Sequence, residues 1–389
     1  MLLVLVPVGL ATLIGLGVLW PGDGPTRADE AVAQNFPAGI TYADARVVRV
    51  DLPTDCAPQQ PCIGRAVVEV LEGADEGDFV QIELPPEVVG EGVGEDDTVV
   101  VTRDAGAEGG PAYGFGDYER DFPLTALAIG FAVCTAVVAR LRGVASLLGL
   151  GFAFFILLKF VLPGILAQSS PVLVTLVGSS AIMFVVLYLA HGFSARTTTA
   201  LIGTLFGLTL VAVLGSLAVG AARLTGLTSE DTVTLSTYDP TLDFSGLVLA
   251  GVVVAGLGVL NDVTITQASA IWQLKEASPE TTWRQLYTRG MAIGRDHIAS
   301  TVYTLVFAYA GAALPLLILF DLYPQPWWVT ITSSTVGEEL VRTLVGSIAL
   351  VLAVPVTTAV GAFFATAAGT DAGAVPERRI AALRARFAR

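Results

Sequence analysis

Charged residues are scarce in this sequence. Asp, Glu, Lys and Arg make up 14% of its 389 residues, whereas hydrophobic residues make up 53%. The mean hydropathy of +0.70 lies outside the range that soluble globular proteins occupy. The composition therefore excludes an ordinary soluble domain and predicts a protein whose main partner is a lipid bilayer.

Histidine and cysteine are almost absent, with two and three residues respectively. The sequence has no His-rich metal pattern, no Ser/His arrangement of the kind used in nucleophilic catalysis and no glycine-rich P-loop. We therefore expect no enzyme activity, no cofactor and no metal site. Transport driven by ATP hydrolysis within this chain is equally unexpected.

Basic residues are too few to balance the acidic ones, which gives a formal net charge of −14. The acidic residues concentrate between Asp23 and Asp121, where they predict a solvated module and exclude nucleic acid as a partner. Cys56 and Cys62 lie in the same segment, and a disulfide between them is plausible if it faces an oxidising compartment. A zinc pair is the weaker alternative because no His or further Cys lies nearby.

Short runs rich in Val and Ile, separated by Gly, Pro and acidic turns, predict strands in this acidic segment. Four strands are expected, and they suggest a small all-β barrel or sandwich of four to six strands: residues 44–52, 63–71, 78–84 and 98–103. Residues 106–121 have the composition of a linker. The predicted β domain therefore spans residues 22–105.

Eight apolar stretches approach the roughly 20 residues that a helix needs to cross a bilayer. The sequence therefore predicts a polytopic α-helical membrane protein with about eight spans: 2–20, 122–139, 144–165, 171–190, 198–221, 245–270, 298–320 and 343–366. The first stretch has no basic flank and no small-residue cleavage site, so residues 1–21 are predicted to be an anchor. Residues 122–370 then form a seven-helix bundle, and residues 371–389 form a basic tail.

The distribution of Lys and Arg predicts how these spans are oriented, since basic loops stay in the cytoplasm. With the N-terminus inside, twelve of the 21 Lys and Arg residues fall in cytoplasmic loops or in the tail. Both termini are therefore predicted to be cytoplasmic. The β domain would then be extracytoplasmic, where Cys56 and Cys62 could oxidise.

The sixth span contains the polar group that costs the most free energy to place in the predicted membrane region. Its continuous apolar part, Leu247–Leu260, is too short to cross by itself, so a spanning helix must also include Asn261, Asp262, Thr266 and Gln267. Carboxylates inside a membrane are functional by default, although a permanently paired Asp that fixes helix packing is the competing interpretation. We therefore take Asp262 as a candidate ion-coupling residue, with its polar neighbours as further candidates.

The seventh span begins with polar residues at its cytoplasmic end. Antiparallel packing would bring Arg295 and Asp296 to about the depth of Asp262, with Arg295 as the natural counter-charge. Ser300 and Thr304 continue this polar face at helical spacing. The eight candidate transport or ion-binding residues are therefore Asn261, Asp262, Thr266, Gln267, Arg295, Asp296, Ser300 and Thr304.

Two functions are compatible with these observations. The preferred hypothesis is a transporter or exporter of a small ion or solute, coupled to a proton or cation through Asp262. A proton, a metal cation, an oxyanion such as phosphate, or a zwitterion would each suit the candidate cluster. The alternative is a membrane assembly or sensing protein that moves nothing and binds an envelope partner through its β domain. A homo-oligomer is compatible with either.

Two segments resemble the YibE/F family of bacterial multispan membrane proteins: residues 258–270, GVLNDVTITQASA, and residues 294–311, GRDHIASTVYTLVFAYAG. Residues 117–120 and the Glu338-Glu339-Leu-Val-Arg342 segment are also similar to it, so the likeness covers most of the chain from the β domain onward. The resemblance implies a helical multispan fold in the bacterial cytoplasmic membrane. It also implies a permease whose substrate is not settled.

Overall fold

The computed structural model describes residues 2–22, 24–26, 29–31, 33, 40–52, 62–106, 112–322 and 326–368. Within them the chain divides into two compact units. One unit comprises residues 28–137 and contains the β domain. The other comprises residues 1–27 and 138–389 and contains the helical bundle.

The β domain is a five-stranded antiparallel sheet with the order β3-β2-β1-β4-β5. The strands are β1 Ile40–Asp51, β2 Gly64–Val70, β3 Phe79–Leu84, β4 Thr98–Asp104 and β5 Ala112–Tyr118, with helix α2, Pro86–Glu91, between β3 and β4. The edge strands β3 and β5 contact each other, which curls the sheet. This strand order, with its partly open barrel shape, is that of the OB fold.

Alternation of small and branched apolar residues explains why the sheet has one buried face. Val68 and Val70 on β2, Ile82 on β3, and Val99 and Val101 on β4 are at most 2% exposed. The intervening residues face solvent, as a period of two requires. Four strands lie close to their predicted positions.

The fifth strand, β5, lies inside residues 106–121, which composition marks as a linker. Gly114 and Gly116 lower its intrinsic strand propensity. The strand forms because β4 offers a free edge, and the ladder pairs Thr102 with Gly114 and Arg103 with Tyr113. A Cβ at Gly116 would lie 2.9 Å from the carbonyl oxygen of Val100, so glycine permits the close pairing.

The twelve helices of the described residues include α1, Leu2–Leu19, and the short α2. The others are α3 Asp121–Ile156, α4 Leu162–Leu166, α5 Pro171–His191, α6 Ala195–Ala221, α7 Glu230–Tyr238, α8 Phe244–Ala277, α9 Trp283–Ala312, α10 Leu314–Leu322, α11 Trp327–Ile331 and α12 Ser334–Ala368. A π-helical turn, Leu157–Val161, joins α3 to α4.

Five helical segments of the described chain are long and apolar enough to cross a membrane, or six if α9 and α10 form one span bent by 66°. The predicted number of about eight spans is therefore not confirmed. Residues 121–166 count as a single 46-residue segment, although the backbone of Arg140 (φ 55°, ψ −135°) is not helical and divides α3 between two predicted spans. Helix α1 is shorter than the other candidates.

The bundle is built around α8, which packs against α5, α6, α9 and α12. Leu260 on α8 and Leu201 and Leu208 on α6 are fully buried. Glycines allow this close packing: a Cβ at Gly207 would clash with the side chain of Leu260. The apolar core of the bundle therefore lies between α6, α8 and α12.

Cys62 forms a disulfide, and Cys134 is a free, exposed thiol. Cys56, the predicted partner of Cys62, lies outside the described residues. So do residues 371–389, the predicted basic tail.

Asp75, in the turn between β2 and β3, joins the two edges of the curled sheet. Its Oδ2 accepts hydrogen bonds from Nε of Arg103 on β4 and from the hydroxyl of Tyr113 on β5. The hydrogen bond from Arg103, followed by that from Tyr113, lowers the pKa of Asp75 below its ordinary value of 3.8. Because the folded-state pKa is depressed, the stabilisation is present above pH 3.8 and is lost as the pH falls through the folded-state pKa.

We predict that Asp75→Asn weakens the β domain at pH 7, because a neutral amide oxygen accepts weaker hydrogen bonds from Arg103 and Tyr113 than a carboxylate does. Hydrogen exchange of the β4 and β5 peptides in the full-length protein should speed up. Acidification below pH 3.8 should weaken the wild type more than the variant. Glu76→Gln removes the same charge from the next residue and serves as the control. Equal exchange rates in the Asp75 variant and the wild type would contradict the role of this carboxylate.

Candidate functional site

Gln267 is the predicted site residue that the bundle buries most completely. Its side chain is 2% exposed, and its Nε2 donates to the carbonyl oxygen of Gly290, at 2.9 Å, and to Oγ1 of Thr358, at 2.7 Å. These bonds link α8 to α9 and α12 in a region where no water is available. Gln267 is thus satisfied within the protein, as a structural residue would be.

Two threonines continue this buried polar contact. Oγ1 of Thr204 on α6 lies 2.6 Å from Oγ1 of Thr264 on α8, and both side chains are fully buried. The Oγ1 of Thr204 also donates to the carbonyl oxygen of Ala200, so the Thr264 hydroxyl can supply the proton of the shared bond. The centre of the bundle therefore contains a hydrogen-bonded seam of buried polar side chains.

The other predicted site residues do not converge. Asp262 and Thr266 on α8 are exposed in the single chain. On α9, Arg295, Asp296, Ser300 and Thr304 are also exposed. Among the residues that the structure describes, no ion pair joins Asp262 to Arg295. Asn261 is partly buried, and its Oδ1 has no hydrogen-bond partner in the described chain.

The helix contacts explain why Asp262 and Arg295 are not paired. Gly290 contacts Ile271, and Gly294 contacts Gln267, which sets the antiparallel register of α8 and α9. Continuing this register places Arg295 beside Thr266, about 5.4 Å or one helical turn from the level of Asp262. Sequence spacing alone could not determine that offset.

A cavity of about 500 Å³ lies at the opposite end of α8 from Lys275. The start of α8, the end of α9 and the start of α12 line it, together with residues between α6 and α7. Its polar lining includes the hydroxyls of Thr228, Ser229, Thr232, Tyr309 and Thr335 and the charged groups of Glu338, Glu339 and Arg342. We call it the Glu338 cavity.

Glu338 is the central acidic group of this cavity. It is only 8% exposed, and its Oε2 accepts a hydrogen bond of 2.8 Å from the hydroxyl of Thr228. Its Oε1 is buried and has no partner among the described residues. A buried carboxylate oxygen without a partner is costly unless another group satisfies it.

Arg342 lies one turn further along α12 and is already engaged. Its Nη1 donates to Oε1 of Glu339 at 2.5 Å, while its Nε is buried without a partner in the described part of the chain. Arg342 thus forms its ion pair with Glu339, and no ion pair to Glu338 is present among the described residues. The cavity is therefore bordered by a carboxylate oxygen and a guanidinium nitrogen that are buried without a partner.

The sequence contains a signal for this site just before the last predicted span. Glu338 and Arg342 are four residues apart, so they lie on one face at the start of the last apolar helix. Helical spacing alone does not show that these side chains line a cavity, because that depends on the neighbouring helices.

Among the described residues, no three His, Cys, Asp or Glu side chains are grouped so that they could hold a metal ion. The charged groups that line the Glu338 cavity are two carboxylates and a guanidinium. The apolar side chains of Phe244, Leu247 and Leu316 line the same cavity. This combination is typical of small-molecule sites.

Comparison with known proteins gives one family. The model of a family described as YibE/F-like protein matches residues 127–367, which is more than half of the chain. That description states neither an activity nor a substrate. No curated protein and no solved structure matches the chain.

We predict that Gln267→Leu destabilises the bundle, because it leaves the carbonyl of Gly290 and the hydroxyl of Thr358 without their donor. A loss of about 1–2 kcal/mol is expected for these buried bonds. Thermal unfolding of the purified protein in detergent measures it. Thr266→Val changes the exposed neighbouring residue and should cost less than about 0.5 kcal/mol. Equal effects of the two variants would argue against the seam as a stabilising contact.

Proposed function

Because the chain belongs to the YibE/F-like family and is a membrane protein by its long apolar helices, we propose that it is a transporter of a small solute bound in the Glu338 cavity. The unpartnered Oε1 of the buried Glu338 is the observation that carries this proposal. A buried carboxylate oxygen that has no protein partner is expected to serve a ligand.

The chemistry of the cavity favours a zwitterion that bears an ammonium group. In this scheme an ammonium donates to the carboxylate of Glu338, and a carboxylate or hydroxyl group of the same solute accepts from the guanidinium of Arg342. The volume of about 500 Å³ suits a molecule of this kind, since small-molecule sites typically measure roughly 300–1,000 Å³. An oxyanion such as phosphate is disfavoured, because Glu338 and Glu339 would repel it.

The helices around the cavity have a form suited to transport. Helix α9 ends at Ala312, and α10 follows at an angle of 66°. Ala312, Ala313 and Leu316, which surround this break, all line the cavity. Interrupted helices next to a binding site are a recurrent feature of transporters, because the two halves can move separately.

The proposal moves the binding role from Asp262 to Glu338. Asp262 is not among the residues that line the Glu338 cavity. A contribution of Asp262 to proton or cation coupling would therefore have to act through the packing of α8. Glu338, which contacts the solute directly in this scheme, is the residue to test first.

We predict that Glu338→Gln abolishes binding and transport without unfolding the protein. Glutamine keeps the volume and can still accept from Thr228, but it lacks the charge that holds an ammonium. Thermal shifts of the purified protein with α-amino acids, betaine, alkali and alkaline-earth cations and inorganic phosphate identify the bound class. Flux of the bound compound into proteoliposomes then tests transport.

In that experiment, an amino acid or betaine should stabilise the wild type and Glu276→Gln, an exposed control with the same charge change. It should not stabilise Glu338→Gln. Stabilisation by phosphate that persists in Glu338→Gln would reject the proposed solute class. Solute entry at the wild-type rate in Glu338→Gln would reject the site.

We also propose that both chain termini are cytoplasmic in the bacterial inner membrane and that the β domain and the Glu338 cavity face the extracytoplasmic side. The basic residues near the loop between α8 and α9, Lys275, Arg284 and Arg289, support this orientation. The start of α8, which borders the cavity, is the opposite end of the same helix.

A membrane-impermeant maleimide tests the orientation in intact cells that express variants with one added cysteine in a Cys134→Ser background, which removes the free exposed thiol. Glu76→Cys, in the β2–β3 turn, should be labelled directly. Glu276→Cys, in the predicted cytoplasmic loop, should be labelled only after permeabilisation. The reverse pattern would invert the proposed topology.

A further inference from the structure

The exposed side of α8 carries groups that a lipid environment does not satisfy. Asp262 and Thr266 are exposed, and so is Gly258 one turn earlier. These residues are four apart, so they lie along one side of the helix. The opposite side of α8, including Leu260, Val263 and Ala268, is buried in the bundle.

Asp262 lies inside the candidate membrane span Phe244–Ala277, within the predicted stretch 245–270. Ten residues, or about 15 Å of helix, separate it from Trp272, and eighteen residues, or about 27 Å, separate it from the start of α8 at Phe244. A carboxyl group is short and cannot extend over such distances, as Lys and Arg can. A carboxylate that faces hydrocarbon costs several kcal/mol on insertion scales. This side of α8 therefore requires another protein surface to cover it.

The neighbouring helix presents hydrogen-bond donors at the same depth. Gly294 contacts Gln267, and Val263 and Ile298 belong to one apolar cluster, so the register of α8 and α9 places Ser300 within a residue of the level of Asp262. The hydroxyl of Thr304 already donates to the carbonyl oxygen of Ser300, at 3.2 Å, whereas Ser300 itself is exposed. One exposed surface of this chain thus has an acceptor on α8 and a hydroxyl donor on α9 at equal depth.

We propose that a second copy of this chain covers this surface, as a symmetric dimer whose twofold axis runs along the membrane normal. Such an axis preserves depth, so Asp262 of each copy meets the level of Ser300 of its partner. The donor of each copy then faces the acceptor of the other, which gives two equivalent contacts across the interface. A twofold interface requires this self-complementarity, because both copies present the same surface.

The shape of the surface suits close helix contact. Nothing lies within 4 Å of the position that a Cβ on Gly258 would occupy. A glycine that is open on its exposed side lets the backbone of a partner helix approach. The same open space makes Gly258 a position where a side chain can be added without disturbing the fold of one copy.

Oxidative cross-linking of full-length protein in membranes tests the dimer. In a Cys134→Ser background, Gly258→Cys should give a cross-linked product of twice the chain mass. Val213→Cys, on the exposed side of α6 and at a similar level of the bundle, is the matched control and should remain monomeric. Adding Asp262→Leu to Gly258→Cys should weaken association about fivefold, or by about 1 kcal/mol, through loss of the interfacial hydrogen bonds.

Three outcomes would overturn the proposal. Cross-linking of Val213→Cys to the same extent would indicate random collision. A Gly258→Cys product of another mass would identify a different protein as the cover. A monomeric Gly258→Cys chain that remains folded, as judged by an unchanged thermal unfolding midpoint, would leave the surface without a second copy. Because none of these substitutions touches the Glu338 cavity, failure here would not affect the proposed transport function.

Discussion

The structure of the helical unit depends on one constraint: a polar group in the hydrocarbon layer must find its partner within protein, because no water is there to supply one. The bundle meets this requirement to three different degrees. Gln267 is satisfied by two neighbouring helices. Glu338 is half-satisfied, with one oxygen bonded to Thr228 and one left free. Asp262 is exposed and has no ion pair among the described residues.

We propose a separate role for each of these three cases. The amide nitrogen of Gln267, with its two buried bonds, fixes the arrangement of α8, α9 and α12, and its removal should cost stability. A half-bonded carboxylate beside a cavity is suited to a ligand, since the free oxygen gains most from a partner that can come and go. An exposed carboxylate at depth calls for a permanent cover. The same physical cost therefore distinguishes packing, binding and assembly within one helical unit.

This constraint does not apply to the β domain, because its polar groups can form hydrogen bonds with water. Its curled sheet depends on an apolar face of Val and Ile and on the contact of its two edge strands. Asp75 reinforces that contact by accepting hydrogen bonds from Arg103 and Tyr113. The high acidity of the domain leaves it well solvated, which is consistent with a module outside the membrane.

Much of the architecture was determined by the sequence alone. Hydropathy indicated the membrane helices, alternation indicated four strands, and the quoted motifs indicated the family, because each is a local pattern that neighbouring residues express directly. The structure decided what local patterns cannot encode. β5 forms only because β4 offers an edge, and the α8–α9 register sets Arg295 a turn away from Asp262. Glu338 lines a cavity because α12 begins beside α8 and α9. Which charged side chains form ion pairs likewise depends on the three-dimensional arrangement of these helices.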